Sequence, residues 1–197
     1  MTTIARIAAL SLLGILAGCA SEPLNNVPLQ WRPTADTNLH LQRAQVGDTR
    51  VQFESFRVTS RQPGLIAEDR ESSAPKPVTT SDDVGVFVSK EVRHLFDANG
   101  IDTFDADGDI VISGEVRQFF AEETSTYSGK VELHLTVRNR AGEVLWSGTT
   151  SGSANRLGLP YSLENYYKVL SDALIHATWS LLQDYGFLRA LGQKPAG

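Results

Sequence analysis

Lys130-Val131-Glu132-Leu133-His134-Leu135-Thr136-Val137-Arg138 alternates polar and apolar residues without a break. Successive side chains of a strand point to opposite faces, so this stretch has one buried and one wet face, as in an antiparallel sheet. Asn139-Arg140-Ala141-Gly142 then reads as a hairpin turn. Val144 to Gly148 returns as the partner strand, with Trp146 placed for cross-strand packing. Upstream, Ile110 to Ile112 and Val116 to Phe120 form a further strand in which Gly114 marks a bulge or a close approach, and Ala121 to Gly129 turns the chain.

Two helical patterns flank this core. Ser81 reads as an N-cap with Asp82 and Asp83 in the first turn; Val84, Val88, Val92, Leu95 and Phe96 then mark one face, and Asn99-Gly100 supplies the stop. Ser162 caps a longer helix whose stripe runs through Leu163, Tyr166, Tyr167, Leu170, Leu174, Ala177, Leu181 and Tyr185 to Gly186. Covering a sheet accounts for this stripe, although its tyrosines could also form a ligand or partner surface. Val51, Phe53 and Val58 suggest a first strand with a bulge near Ser55-Phe56. Residues 60–80, with Pro63, Gly64, Ser72-Ser73, Pro75 and Pro77, read as a long exposed loop, and Ser151 to Pro160 as another. The order β-α-β-β-β-α predicts an α+β two-layer sandwich, a mostly antiparallel sheet of about four strands with two helices on one face.

The N-terminus carries a different signal. Arg6 precedes an apolar run, Ile7 to Ala17, interrupted only by Ser11 and Gly14. The pattern is that of an export signal, and the run falls short of the roughly 20 residues needed to span a bilayer. It ends in Leu16-Ala17-Gly18-Cys19, which resembles a lipobox: cleavage would fall before Cys19, whose thiol would take acyl chains and hold the chain on a membrane. Lipoproteins with Asp after this cysteine tend to stay in the inner membrane. Ala20-Ser21 follow here, which implies the outer membrane, with the domain facing the periplasm.

On this reading residues 1–18 are a signal peptide, 19–47 a lipidated tether, 48–191 the periplasmic domain and 192–197 a tail. The precursor's net charge is -5, and loss of Arg6 leaves 17 basic against 23 acidic residues, a balance unsuited to nucleic acid. Cys19 is the only cysteine, so an ordinary hydrophobic core must hold the domain together without disulfides.

Chemistry is sparse. His40, His94, His134 and His176 show no ligand spacing, and no cofactor is expected. Asp102, Asp105, Asp107 and Asp109 surround Gly108, but with that glycine at the sixth position of a calcium loop the bidentate acid would have to stand where Gly114 does. The cluster reads as a solvated turn. Gly148 to Gly152 encloses Thr149-Thr150-Ser151 and fails the nucleophile-elbow pattern, no glycine-rich phosphate loop opens either helix, and Glu122-Glu123 sit on an acidic turn. No enzymatic activity is expected.

Taken in order, the lipobox, the first strand, Arg61 and Pro63, the helix ending at Asn99-Gly100, and Tyr127 to Gly152 followed by the capped helix resemble YajG-type bacterial lipoproteins. Family members often carry Asp before the Arg; here Ser60 stands there. The resemblance implies a small envelope lipoprotein without a defined activity. The sandwich is also similar to auxiliary lipoproteins of envelope ABC transporters and to the lipopolysaccharide-assembly lipoprotein, which bind and scaffold. The expected function is therefore binding of an envelope protein partner, with Arg61, Tyr166, Tyr167 and Trp179 as the candidate surface. The alternative is a lipid or glycan carrier with its ligand between helices and sheet, beneath Tyr166, Tyr167 and Trp179.

Overall fold

The computed structural model describes residues 23–38, 49–71 and 74–192. The expected signal peptide, Cys19, the stretch containing His40, and the tail from 193 onward lie outside the described residues. Three long strands form the bulk of the sheet: β6 (Ile110–Glu123), β7 (Tyr127–Asn139) and, at the edge, β8 (Val144–Arg156). They pair antiparallel, from Ile110↔Asn139 to Glu123↔Tyr127 and from Arg138↔Val144 to Tyr127↔Arg156. The predicted alternation holds on β7, where every odd position from Tyr127 to Val137 is buried.

Among the described residues the sheet has eight strands, not about four, and it is mixed. Short strands β1 (Val51–Phe53), β2 (Arg57–Val58) and β3 (Leu65–Asp69) follow one another along the same edge of β6, all parallel to it. Together they act as one interrupted strand. β4 (Lys76–Thr79) pairs antiparallel with β3, and β5 (Thr103–Phe104) pairs parallel with β1. The expected 60–80 loop thus holds two strands, and the expected 151–160 loop is strand as far as Arg156. Gly114 is a close-approach point, where a Cβ would meet Leu135 and Phe56. The bulge lies instead between Val116 and Gln118 and switches the buried parity of β6 from Val116 to Phe119.

Helices cover one face of this sheet, as the α+β reading requires. α1 (Val84–Ala98) is capped by Asp83, two residues later than expected; its carboxylate accepts from the Val86 N–H at 3.0 Å. α2 (Leu163–Leu182) packs across β7 and β8. It stops before Tyr185, where a separate short helix, α3 (Tyr185–Ala190), begins under an Asp184 cap. Phe187 of α3 is fully buried against Trp146 and Phe96, so the chain breaks the helix to place one aromatic ring in the core. Among the described residues no helix is long and apolar enough to cross a membrane.

The expected tether is docked over residues 23–38. Leu24 bridges β4 at Val78, and the Val27 N–H donates to the Thr79 carbonyl at 2.9 Å. The Tyr167 hydroxyl donates to the Pro28 carbonyl at 2.5 Å, and the Arg32 N–H to the Ser171 hydroxyl at 2.9 Å. Asp172 then accepts from the N–H groups of Thr34 and Ala35 at 2.6 and 2.8 Å, and Asn99 Nδ2 donates to the Thr37 carbonyl at 3.0 Å. With Val27 buried and Leu29 and Trp31 half-buried against the core, this segment is a strap from the β4 edge, along α2, to the C-terminus of α1.

Candidate functional site

The interruption between β2 and β3 creates a cleft. Val58 is level with Val116 and Ala67 with Ala121, so nine residue steps on one side span five on the other. The surplus chain must loop outward, and over that interval no described strand pairs with this edge of β6. The cleft that results measures about 350 Å³. Val58, Leu65, Val84, Val116 and Phe119 give it apolar walls, and Arg61, Glu68, Arg70 and Arg117 are its charged lining. Phe119 is held edge-on to Phe87 of α1, with centroids 6.0 Å apart, so the apolar wall is fixed by the helix packing.

The charges are not equivalent. Arg70 pairs with Glu68 at 2.6 Å and Glu122 at 3.1 Å, and the hydrogen bond to Glu68, followed by the charge of Glu122, raises its pKa further above the ordinary guanidinium value. Arg117 reaches only a neutral partner, the Thr149 hydroxyl at 3.2 Å. Arg61 is exposed and has no hydrogen-bond or ion-pair partner among the described residues. Both carboxylates near the cleft are therefore occupied, while the Arg61 guanidinium remains for an incoming acceptor; that of Arg117 reaches away from the cleft, across β7 to β8.

The four described or expected site positions do not form one surface. Arg61 lines the cleft, but Tyr166 and Tyr167 are in the interior, 0% and 4% exposed. The Tyr166 hydroxyl donates to Glu123, and burial first, then that hydrogen bond, push its pKa well above the usual tyrosine range. Trp179 is 44% exposed on the outer side of α2, beside Ser151, Gly152, Ser153 and His176. Cys19 lies outside the described residues.

The space a carrier would need beneath α2 is closed at two glycines. A Cβ at Gly152 would come within 2.2 Å of the Ala177 nitrogen, and one at Gly129 within 2.7 Å of the Val169 carbonyl oxygen. Backbone thus lies on backbone where a ligand would have to enter.

The candidate ligating groups are dispersed. Asp109 pairs with Arg140, Asp105 with Arg93, and His94 with Glu91 at 3.0 Å. Among the described residues no group of three His, Cys, Asp or Glu is placed to hold a metal ion. Sequence reading missed Arg70 and Arg117 as cleft residues, because the surplus of four residues is visible only once the register of β2 and β3 on β6 is known.

No protein-family model matches the sequence, and no curated protein matches it. Among solved structures, the fold is similar to that of a Xanthomonas campestris protein of family DUF330, at 13% identity and a TM-score of 0.53, covering 85% of this chain and 95% of that one. Further matches are a PelC dodecamer from Paraburkholderia phytofirmans (16% identity, TM-score 0.38, 68% and 87% covered) and lipoprotein GNA1162 from Neisseria meningitidis (14%, 0.36, 59% and 90%). At these identities the first likeness is one of fold.

Proposed function

We propose that this chain is a lipoprotein of the bacterial outer membrane, anchored through acyl chains on Cys19, whose periplasmic domain binds an envelope protein partner and catalyses no reaction. The lipobox-like Leu16-Ala17-Gly18-Cys19 supports the anchor. The observation that carries the binding role is the cleft in the β6 edge, where unpaired Arg61 stands beside an apolar wall. That combination suits an extended segment bearing an acidic side chain: carboxylate–guanidinium hydrogen bonds give orientation, and apolar contact adds affinity. Glu68 and Glu122, the carboxylates at hand, are engaged by Arg70, which fits binding better than proton transfer.

The test is site-specific photocrosslinking from Gln62 in intact cells, with and without Arg61→Glu. A discrete crosslinked envelope protein that disappears in the Arg61→Glu variant is the expected result. Recovery of the unmodified chain alone, with a normal envelope barrier after gene deletion, would count against the reading.

A further inference from the structure

The described chain begins at Pro23, and the strap holds it from Leu24 onward. The Leu24 N–H donates to the Tyr161 hydroxyl at 2.9 Å, and Leu24 bridges Val78 of β4. Cys19 is four residues before Pro23, so the cysteine cannot be farther than about 14 Å from this corner of the domain. The same corner carries the turn between β8 and α2. There Leu157 and Leu159 are 78% and 79% exposed, the largest exposures among the large apolar side chains of the described residues.

This turn is fixed in place. The Tyr127 hydroxyl donates to the Leu159 carbonyl at 2.5 Å, and the Ser162 N–H donates to the same Tyr127 oxygen at 2.9 Å. Tyr161, two residues beyond Leu159, is the residue that holds Leu24. Two leucines are therefore held outward on a braced turn next to the point where the chain leaves for Cys19.

We infer that the Arg156–Pro160 turn is a lipid-contacting surface: Leu157 and Leu159 enter the acyl-chain boundary of the membrane that holds Cys19. The inference rests on the anchor reading, because the short reach from Cys19 is what brings this corner to the bilayer. Apolar side chains immersed at the boundary between headgroups and acyl chains are the usual contact of a protein that lies on a membrane. The domain then stands on the membrane in a set orientation, with the Asn139–Gly142 hairpin turn, at the far end of two 13-residue strands, directed away from it.

The full chain, processed in bacteria and reconstituted into phosphatidylethanolamine–phosphatidylglycerol vesicles with brominated acyl chains, tests this. A cysteine introduced by Leu159→Cys, or by Ala141→Cys as the distant control, carries an environment-sensitive fluorophore, and mass spectrometry of the N-terminal peptide reports acylation of Cys19. Acylated protein with strong quenching at 159 and none at 141 supports the inference. Acylated protein without quenching at 159, or with 159 shielded by a co-purifying protein instead of lipid, overturns the turn's role and leaves the anchor standing. An unacylated Cys19 overturns both.

Discussion

The Tyr166 hydroxyl donates to the Glu123 carboxylate in the interior of the domain, where the residues are 0% and 2% exposed. Glu123 also accepts from the Tyr161 N–H at 2.7 Å, so one buried carboxylate joins the end of β6 to α2 and to the turn before it. Removing the phenol leaves that carboxylate short of a donor. Tyr166→Phe should cost about 1–3 kcal/mol, the usual penalty for an unsatisfied buried acceptor, measured by urea unfolding.

The same tyrosine should set an alkaline limit. Its folded pKa is raised above the ordinary value of 10.0, chiefly by burial, and those of Tyr127 and Tyr167 are raised as well. Stability from a raised pKa is complete below the unfolded value and is lost as pH rises past it, since the unfolded chain then releases protons that the folded chain retains. Unfolding free energy should fall above about pH 10, and less steeply in Tyr166→Phe, which has one such proton fewer.

Gly152→Ala should lift α2 off β8. The added carbon would meet the Ala177 nitrogen at 2.2 Å and the Ala173 carbonyl oxygen at 2.3 Å, both backbone atoms that no side-chain rotation can move. An overpacking cost of about 1–3 kcal/mol is expected by denaturant titration. An unchanged midpoint would mean that the helix is not seated on the strand.

Asp172→Ala should free the far half of the strap. Its carboxylate receives the Thr34 and Ala35 N–H groups and the Thr34 hydroxyl. Amide exchange should accelerate over residues 32–38, while the β7 amides stay protected, because the core does not depend on these bonds.

Arg61→Glu should leave thermal stability within about 0.5 kcal/mol of the parent, as expected for an exposed side chain without partners, even where it abolishes crosslinking from Gln62. Cys19→Ser should give the same folded domain, released by washing. Retention of that variant on membranes would refute the acyl anchor.

What could be read in the sequence was set by local pattern. β7 and the apolar faces of both helices follow from periodicity alone. The second half of β8, Ser151 to Arg156, carries no such signal; it is strand because β7 pairs with it and because Gly152 admits α2. β1 to β4 are two to five residues long and exist through pairing with β6 or with one another, which no window of sequence contains. Arg61 stood out by resemblance, whereas its cleft depends on a register mismatch. The strap was invisible for a similar reason: its backbone donors find Ser171 and Asp172 more than 130 residues away.

The strap also decides how the domain carries load. Tension applied through residue 23 meets the Leu24–Tyr161 and Val27–Thr79 bonds first, at the β4 edge, and only later the Ser171 and Asp172 bonds along α2. These connections fail one after another, and each failure releases a few more residues of slack before force passes along the chain to β1. Pulled from residue 23, the strap would act as a mechanical fuse that yields in steps before β1 is loaded.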